Sequence, residues 1–276
     1  MPNDNGFTIE GVVLKKYIGK GEKVVTIPND VTTIGGSAFA FCSSLTAIEI
    51  PNSVTKIGAW AFNFCRSLTE IKIPNSVTTI GAGAFYGCSS LKNITIPKGV
   101  TTIEKETFYD CSSLKNITIP NSVTTIGDRA FFRCNSLKNI VIPNSVTEIG
   151  KNAFYNCSSL TEIEIPKSVT TIGAWAFDFC SSLTEIEIPK SVKKIEYRAF
   201  ANCIKLTNIT ILNGVTEIGE NAFFDCRSLT AITIPDSVTT IGKNIFEGCS
   251  NLKNVTAPAR FKKTLLKELG NKVTFN

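Results

Sequence analysis

The chain contains no histidine, one methionine and two tryptophans, and only 19% of its residues are charged. Without histidine it lacks the commonest general base, every Ser-His or Cys-His nucleophile pair and the commonest metal ligand, which excludes much of enzyme chemistry. No apolar run approaches the roughly 18 residues of a membrane-spanning helix. The opening MPNDNGFTIEG has neither the basic start nor the apolar segment of a secretory signal. A cytoplasmic location is therefore expected, the alternative being a cell-surface or secreted protein exported by a route not visible in the sequence. A formal charge of +6 over 276 residues is mild and well short of the concentrated basic patch of a nucleic-acid binder. Neither nucleic acid nor a cofactor is expected as a partner.

What the sequence does have is order. Its ten cysteines fall at 42, 65, 88, 111, 134, 157, 180, 203, 226 and 249, a constant step of 23. Proline repeats the same step from Pro28 to Pro258 and is missing only at Leu212. The unit reads IPNSVTTIGxxAFxxCSSLTxIx, and a fixed period in the twenties with an L-x-x-I-x-I core points to a leucine-rich-type solenoid. Ankyrin and tetratricopeptide periods are too long.

Each position has a physical reading. Leu three residues after the cysteine (Leu45, Leu68 and onward to Leu252), with Ile six and eight after it (Ile48 and Ile50), alternates with the period of two of a strand. Stacked about 4.8 Å apart, such strands make a parallel sheet whose intervening residues form exposed columns on one face. Proline, with no N–H to donate, ends each strand. Val-Thr-x-Ile, as at Val54 to Ile57, predicts a second short strand or extended corner. GxxAFxxC predicts one or two helical turns, with Ile57, Ala61, Phe62, Cys65 and Leu68 on an inward stripe. Phe keeps its place in all ten copies, from Phe39 to Phe246, which predicts an aromatic spine. Glu104 and Glu196 replace the repeating Gly, so that site does not require positive φ, and a helix N-cap suits it.

The ends depart from the repeat, as they must to cover an open core. Residues 1–27 read as a capping hairpin, with Phe7, Ile9, Val12, Leu14 and Tyr17 as apolar cover. Residues 28–257 hold the ten repeats. Residues 258–276 read as a C-terminal cap of short helix plus terminal strand, Phe261, Leu265, Leu266 and Leu269 lying at helical spacing before the stop signal Gly270. The three parts make one continuous domain.

The unit IPNSVTTIGxxAFxxCSSLTxIxIP resembles the BspA-like class of leucine-rich repeats over about residues 24–258, and GVVLKKYIGKGEKVVTIP resembles the caps of its bacterial members. The resemblance implies an α/β fold: a curved right-handed solenoid of about ten coils, with a parallel sheet on one face and short strands plus helical turns on the other. It also implies a binding protein. Some members are surface adhesins for host matrix proteins, many have no assigned role, and the class has no shared active site.

Ten regularly spaced cysteines admit disulfides, a metal site or core packing. Neighbouring coils fall within the Cα window of a disulfide, but inward thiols behave as small buried hydrophobes. A linear ladder offers only two adjacent sulfurs to any point, where zinc needs four ligands, so packing is the expected role. No catalytic or metal-binding residue is assigned.

Recognition is expected on the exposed columns. Lys92, Lys115 and Lys138 stand in a row with Asn93, Asn116 and Asn139 beside them, a like-charge column that costs stability and that binding would explain. Further along, Glu162, Glu164, Glu185 and Glu187 form an acidic patch bordered by Lys167 and Lys190. Paired carboxylates can serve glycosidase chemistry, but repeat copying explains these better, since WAFDFCSSLTEIEIP closely matches WAFNFCRSLTEIKIP. Trp60 and Trp175 take equivalent positions five repeats apart, either as exposed interface anchors or packed under a neighbouring coil. The expected function is a non-enzymatic, monomeric protein-interaction scaffold. The alternative is an adhesin, or a fragment of one, for matrix protein or glycan.

Overall fold

The computed structural model describes residues 5–19, 21–270 and 274–275. The repeats wind into a right-handed solenoid with one continuous core. Val, Ile, Ala, Phe, Cys and Leu from successive coils stack in columns, and nearly all are fully buried. The Phe spine runs from Phe39 to Phe246 with ring centroids 5.2 Å (Phe39–Phe62) to 6.1 Å (Phe200–Phe223) apart. Its rings are close to parallel, 3° apart at Phe85–Phe108 and 16° at Phe223–Phe246.

The two strand sets differ in continuity. The two-residue Thr-Ile strands, expected from the sequence as a second short strand or extended corner, make the longest ladder, seven parallel strands from Thr102–Ile103 to Thr240–Ile241. The L-x-x-I-x-I strands pair in shorter runs, such as Asn93–Thr95 with Asn116–Thr118 and Glu185–Ile188 with Asn208–Ile211. Between these runs, residues 139–142 and 162–165 are not strands, although Ile140, Ile142, Ile163 and Ile165 remain buried. The second of these stretches precedes Glu185–Ile188 by one coil, so Glu162 meets Glu185 and Glu164 meets Glu187, like charges in register that disfavour pairing.

The helical turns expected in GxxAFxxC are not there. Each segment is a chain of tight turns in which the residues five and one before the cysteine have positive φ, as at Trp60 (60°) and Phe64 (55°). Every second N–H then leaves its own coil. Trp60, Phe62 and Phe64 donate to the carbonyls of Ala82, Ala84 and Tyr86 one coil on, while Ala61, Asn63 and Cys65 donate three residues back. A helix would direct its N–H groups along its own axis, whereas the stack offers an acceptor 22 residues away. The inward stripe Ile57, Ala61, Phe62, Cys65 and Leu68 is nevertheless fully buried. Gly58 is not an N-cap. It sits where neighbouring coils approach closely, since a Cβ there would lie 2.6 Å from the backbone N of Gly36.

At the N-terminal end, Phe7–Glu10 and Val13–Tyr17 form an antiparallel pair that joins Thr33–Ile34 in parallel. Tyr17 lies 5.2 Å from Phe39, beginning the spine. At the other end, helix Lys262–Leu269 buries Leu265 and stops at Gly270, whose φ is 66°. This contact places Leu265 in the core. Phe223 donates its N–H to the next coil at Ile245 O (3.0 Å); Phe246 has no next coil and donates to a Glu268 carboxylate oxygen at 2.8 Å.

Candidate interaction face

Two outward-facing column sets, the turn side and the strand face, overlie a ladder of thiols. From Cys65 onward each thiol is buried and donates to the carbonyl of the Phe 26 residues earlier, Cys65 Sγ to Phe39 O at 3.1 Å and so on to Cys249 with Phe223. All ten cysteines are unbridged. Burial pushes these thiols upward, Cys88 and Cys134 well above the ordinary value and the half-buried Cys42 up to about 11. A thiolate is the reactive form, so the ladder is inert packing whose S–H groups also satisfy carbonyls.

On the turn side the sequence reading missed a second aromatic ladder. Tyr86, Tyr109, Phe132 and Tyr155, each two residues before its cysteine, stack with centroids 4.4, 4.5 and 4.6 Å apart. The signal was present as FYGC, FYDC, FFRC and FYNC in four successive copies. Phe64 and Phe179 close its ends edge-on at 5.4 and 5.6 Å. Alongside runs a trough of about 570 Å³. Its charges are already matched, Arg129 with Glu106 at 3.0 Å and Arg198 with Asp178 at 3.1 Å. Asp178 is buried, which raises its pKa against the opposing effect of its bonds from Asn202 (2.7 Å) and Arg198. Ring faces cover one another and ions are paired, so this side is largely self-satisfied.

Trp60 and Trp175 belong to this side, at positive-φ turn positions and not on helices. Both are half-buried. Trp60 lies over the next coil, where a Cβ at Gly83 would come within 2.4 Å of its ring, and packs 5.3 Å from Tyr86. Trp175 packs 4.9 Å from Tyr197, with Lys151 Nζ 4.7 Å above its ring. These contacts occupy both indoles.

The strand face is different. Lys92, Lys115 and Lys138 are exposed, and Lys115 N donates to Lys92 O at 2.8 Å, so these residues stack. Asn116 donates to Asn93 at 2.7 Å, while Asn139 accepts weakly from Thr161. Glu162, Glu164, Glu185 and Glu187 are exposed as well and border a depression of about 560 Å³ with Lys167. Among the described residues none of these lysines or glutamates forms an ion pair within the chain. Between the two charge sets stands Val141, 81% exposed. The sequence marks it as the apolar residue in a column otherwise occupied by Glu, Lys and Thr.

A family model described as a BspA type leucine rich repeat region, of six copies, matches residues 20–138, 101–227 and 176–269. A leucine-rich repeat protein of Bacteroides ovatus is similar at 28% identity and a TM-score of 0.62, covering 100% of this chain and 96% of that one. A leucine rich cell surface protein of Faecalibacterium prausnitzii is similar at 29% identity and a TM-score of 0.54, covering 100% and 91%. The pneumococcal vaccine antigen PcpA shares the fold at 23% identity and a TM-score of 0.59, covering 93% and 81%. Comparison with functionally curated proteins finds no match. Among the described residues no helix is long and apolar enough to cross a membrane. Motif, core and solenoid agree with the matched model over most of the length: the chain belongs to the BspA-type leucine-rich repeat family.

Proposed function

We propose that the protein is a non-enzymatic interaction scaffold that recognises a protein partner through its strand face. The observation that carries this reading is the contrast in charge satisfaction. Lys92, Lys115, Lys138 and the four glutamates stand unpaired on one ladder face, while the charges lining the turn-side trough, Arg129 with Glu106 and Arg198 with Asp178, are paired. An unpaired like-charge column costs stability in the free protein, and an oppositely charged partner removes that cost and steers its own approach. A face of ten coils, roughly 45 Å long at about 4.8 Å per coil, accommodates a standard interface of about 800 Å² per partner.

The test is affinity capture with mass spectrometry, comparing wild type with a Lys92→Glu, Lys115→Glu, Lys138→Glu variant of matching circular dichroism. A partner held by wild type and lost by the variant supports recognition at this face. Equal capture by both contradicts it. Similarity to a cell surface protein favours the adhesin form of the same reading, in which the partner is extracellular; surface labelling of intact cells that express the gene distinguishes the two settings.

A further inference from the structure

We infer that the strand face is self-complementary and that the partner it fits is a second copy of this chain, held antiparallel about a two-fold axis. The inference deepens the scaffold reading and rests on its assignment of the face. It replaces the monomer expected from the sequence.

Two faces that meet under a two-fold symmetry have the axis lying in their interface. If the axis crosses the coils, the coil n steps to one side of it lands on the mate's coil n steps to the other. The charges here are ordered along the solenoid in the way this operation requires: lysine coils first, then the coil of Asn139 and Val141, then the glutamate coils. An axis through the coil of Asn139 and Val141 sets the coil of Lys115 over the mate's Glu162 and Glu164. It sets the coil of Lys92 over the mate's Glu185 and Glu187. Symmetry makes each match twice. On the turn side, by contrast, the charges that line the trough are already paired within the chain.

The centre of this arrangement is Val141, the most exposed large hydrophobic residue of the described structure. On the axis it meets its own mate, which gives an apolar centre inside a charged rim, the anatomy of an isologous interface. Of the remaining coils, the coil of Glu70 and Lys72 lands on Asn208 and Thr210, and only at the far ends do like charges meet again, where Lys23 lands on the mate's Lys253. Lys138 alone approaches its own mate, at the edge of the face. The axis coil is the fifth of ten, so the two solenoids overlap along almost their whole length.

The test is sedimentation velocity of the full chain over a range of concentration and salt. Three proteins are compared: wild type, an acidic-face variant (Lys92→Glu, Lys115→Glu) and a basic-face variant (Glu162→Lys, Glu164→Lys, Glu185→Lys, Glu187→Lys). Wild type is expected to dimerise with an affinity that falls at least about tenfold between low and high salt, as screened interfacial charge requires. Each variant alone is expected to lose association by at least about tenfold, and an equimolar mixture of the two to recover it as a heterodimer. A wild type that stays monomeric, a variant that dimerises like wild type, or a mixture of folded variants that stays monomeric overturns the inference. Should a multiple variant misfold, the single Val141→Asp variant reads the same axis: association weakened at least about tenfold supports it, and unchanged association overturns it. A monomeric wild type that still captures a lysine-dependent partner overturns self-pairing and leaves the scaffold reading standing; loss of both overturns both.

Discussion

The interior columns and the strand-face columns come from the same ten copies of one 23-residue unit, yet they have diverged to different degrees. Inside, Phe and Cys are unchanged in every copy. Outside, the position four after the cysteine passes from Thr69 to Lys92, Lys115 and Lys138 and back to Thr161, and the position seven after it passes through Lys72, Thr95, Val141 and Glu164. A side chain that must fill one slot between two coils has no freedom to vary. A side chain that touches only water does, and variation gathered there into blocks of one sign is what a recognition surface requires. The turn side lies between these extremes: half-buried, with rings and ions that lock onto the neighbouring coil.

Raising the pH is expected to break this contrast most severely, because it acts first on the interior thiols. The buried thiols have folded pKa values above their ordinary value of 9.0. Between pH 9 and the folded values the unfolded chain has lost protons that the native chain keeps, so stability falls as pH rises. Each thiol contributes a slope of up to about 1.4 kcal/mol per pH unit. Urea unfolding followed by circular dichroism is expected to show a midpoint steady from pH 7 to 8.5 and falling steeply above about pH 9.

Next in size is Asp178→Ala, which strands Arg198 and Asn202 without their acceptor. The expected cost is about 2–3 kcal/mol, at the lower end for a broken buried pair because Arg198 is partly in water. Tyr109→Ala opens a gap in the middle of the turn-side ladder and is expected to cost about 2 kcal/mol, less than a fully buried aromatic. Chemical denaturation measures both. The smallest effect on stability belongs to the strand face. Lys92→Glu, Lys115→Glu and Lys138→Glu are each expected to shift stability by no more than about 0.5 kcal/mol, while abolishing binding. The ranking itself is the prediction: loss of a turn-side ladder ring or buried ion-pair partner damages folding and a strand-face substitution damages recognition.

The repeat, the core columns and the exposed strand columns were legible because cysteine, proline and phenylalanine recur at one spacing, and a strict period admits few structures. The turn segment was misread for a physical reason. Ile57, Ala61, Phe62, Cys65 and Leu68 have helix-like spacing, but a chain of turns with alternating backbone hand brings the same residues inward, and only the neighbouring coil's carbonyls decide between them. For Trp60 the sequence left exposure and packing under a neighbouring coil equally open, because the residue that receives it, Gly83, lies 23 positions away. Val141 and the stacked tyrosines were visible as letters; their meaning depended on which column each occupied.

The most direct test of the central claim is a side-by-side binding measurement on two charge reversals of equal fold, the Lys92, Lys115, Lys138 to Glu variant on the strand face and Arg133→Glu, an exposed residue of the turn side. Wild type immobilised on a surface reports self-binding and partner binding together. The account predicts that the strand-face variant loses binding and Arg133→Glu keeps it. Binding kept by the first or lost by the second contradicts it.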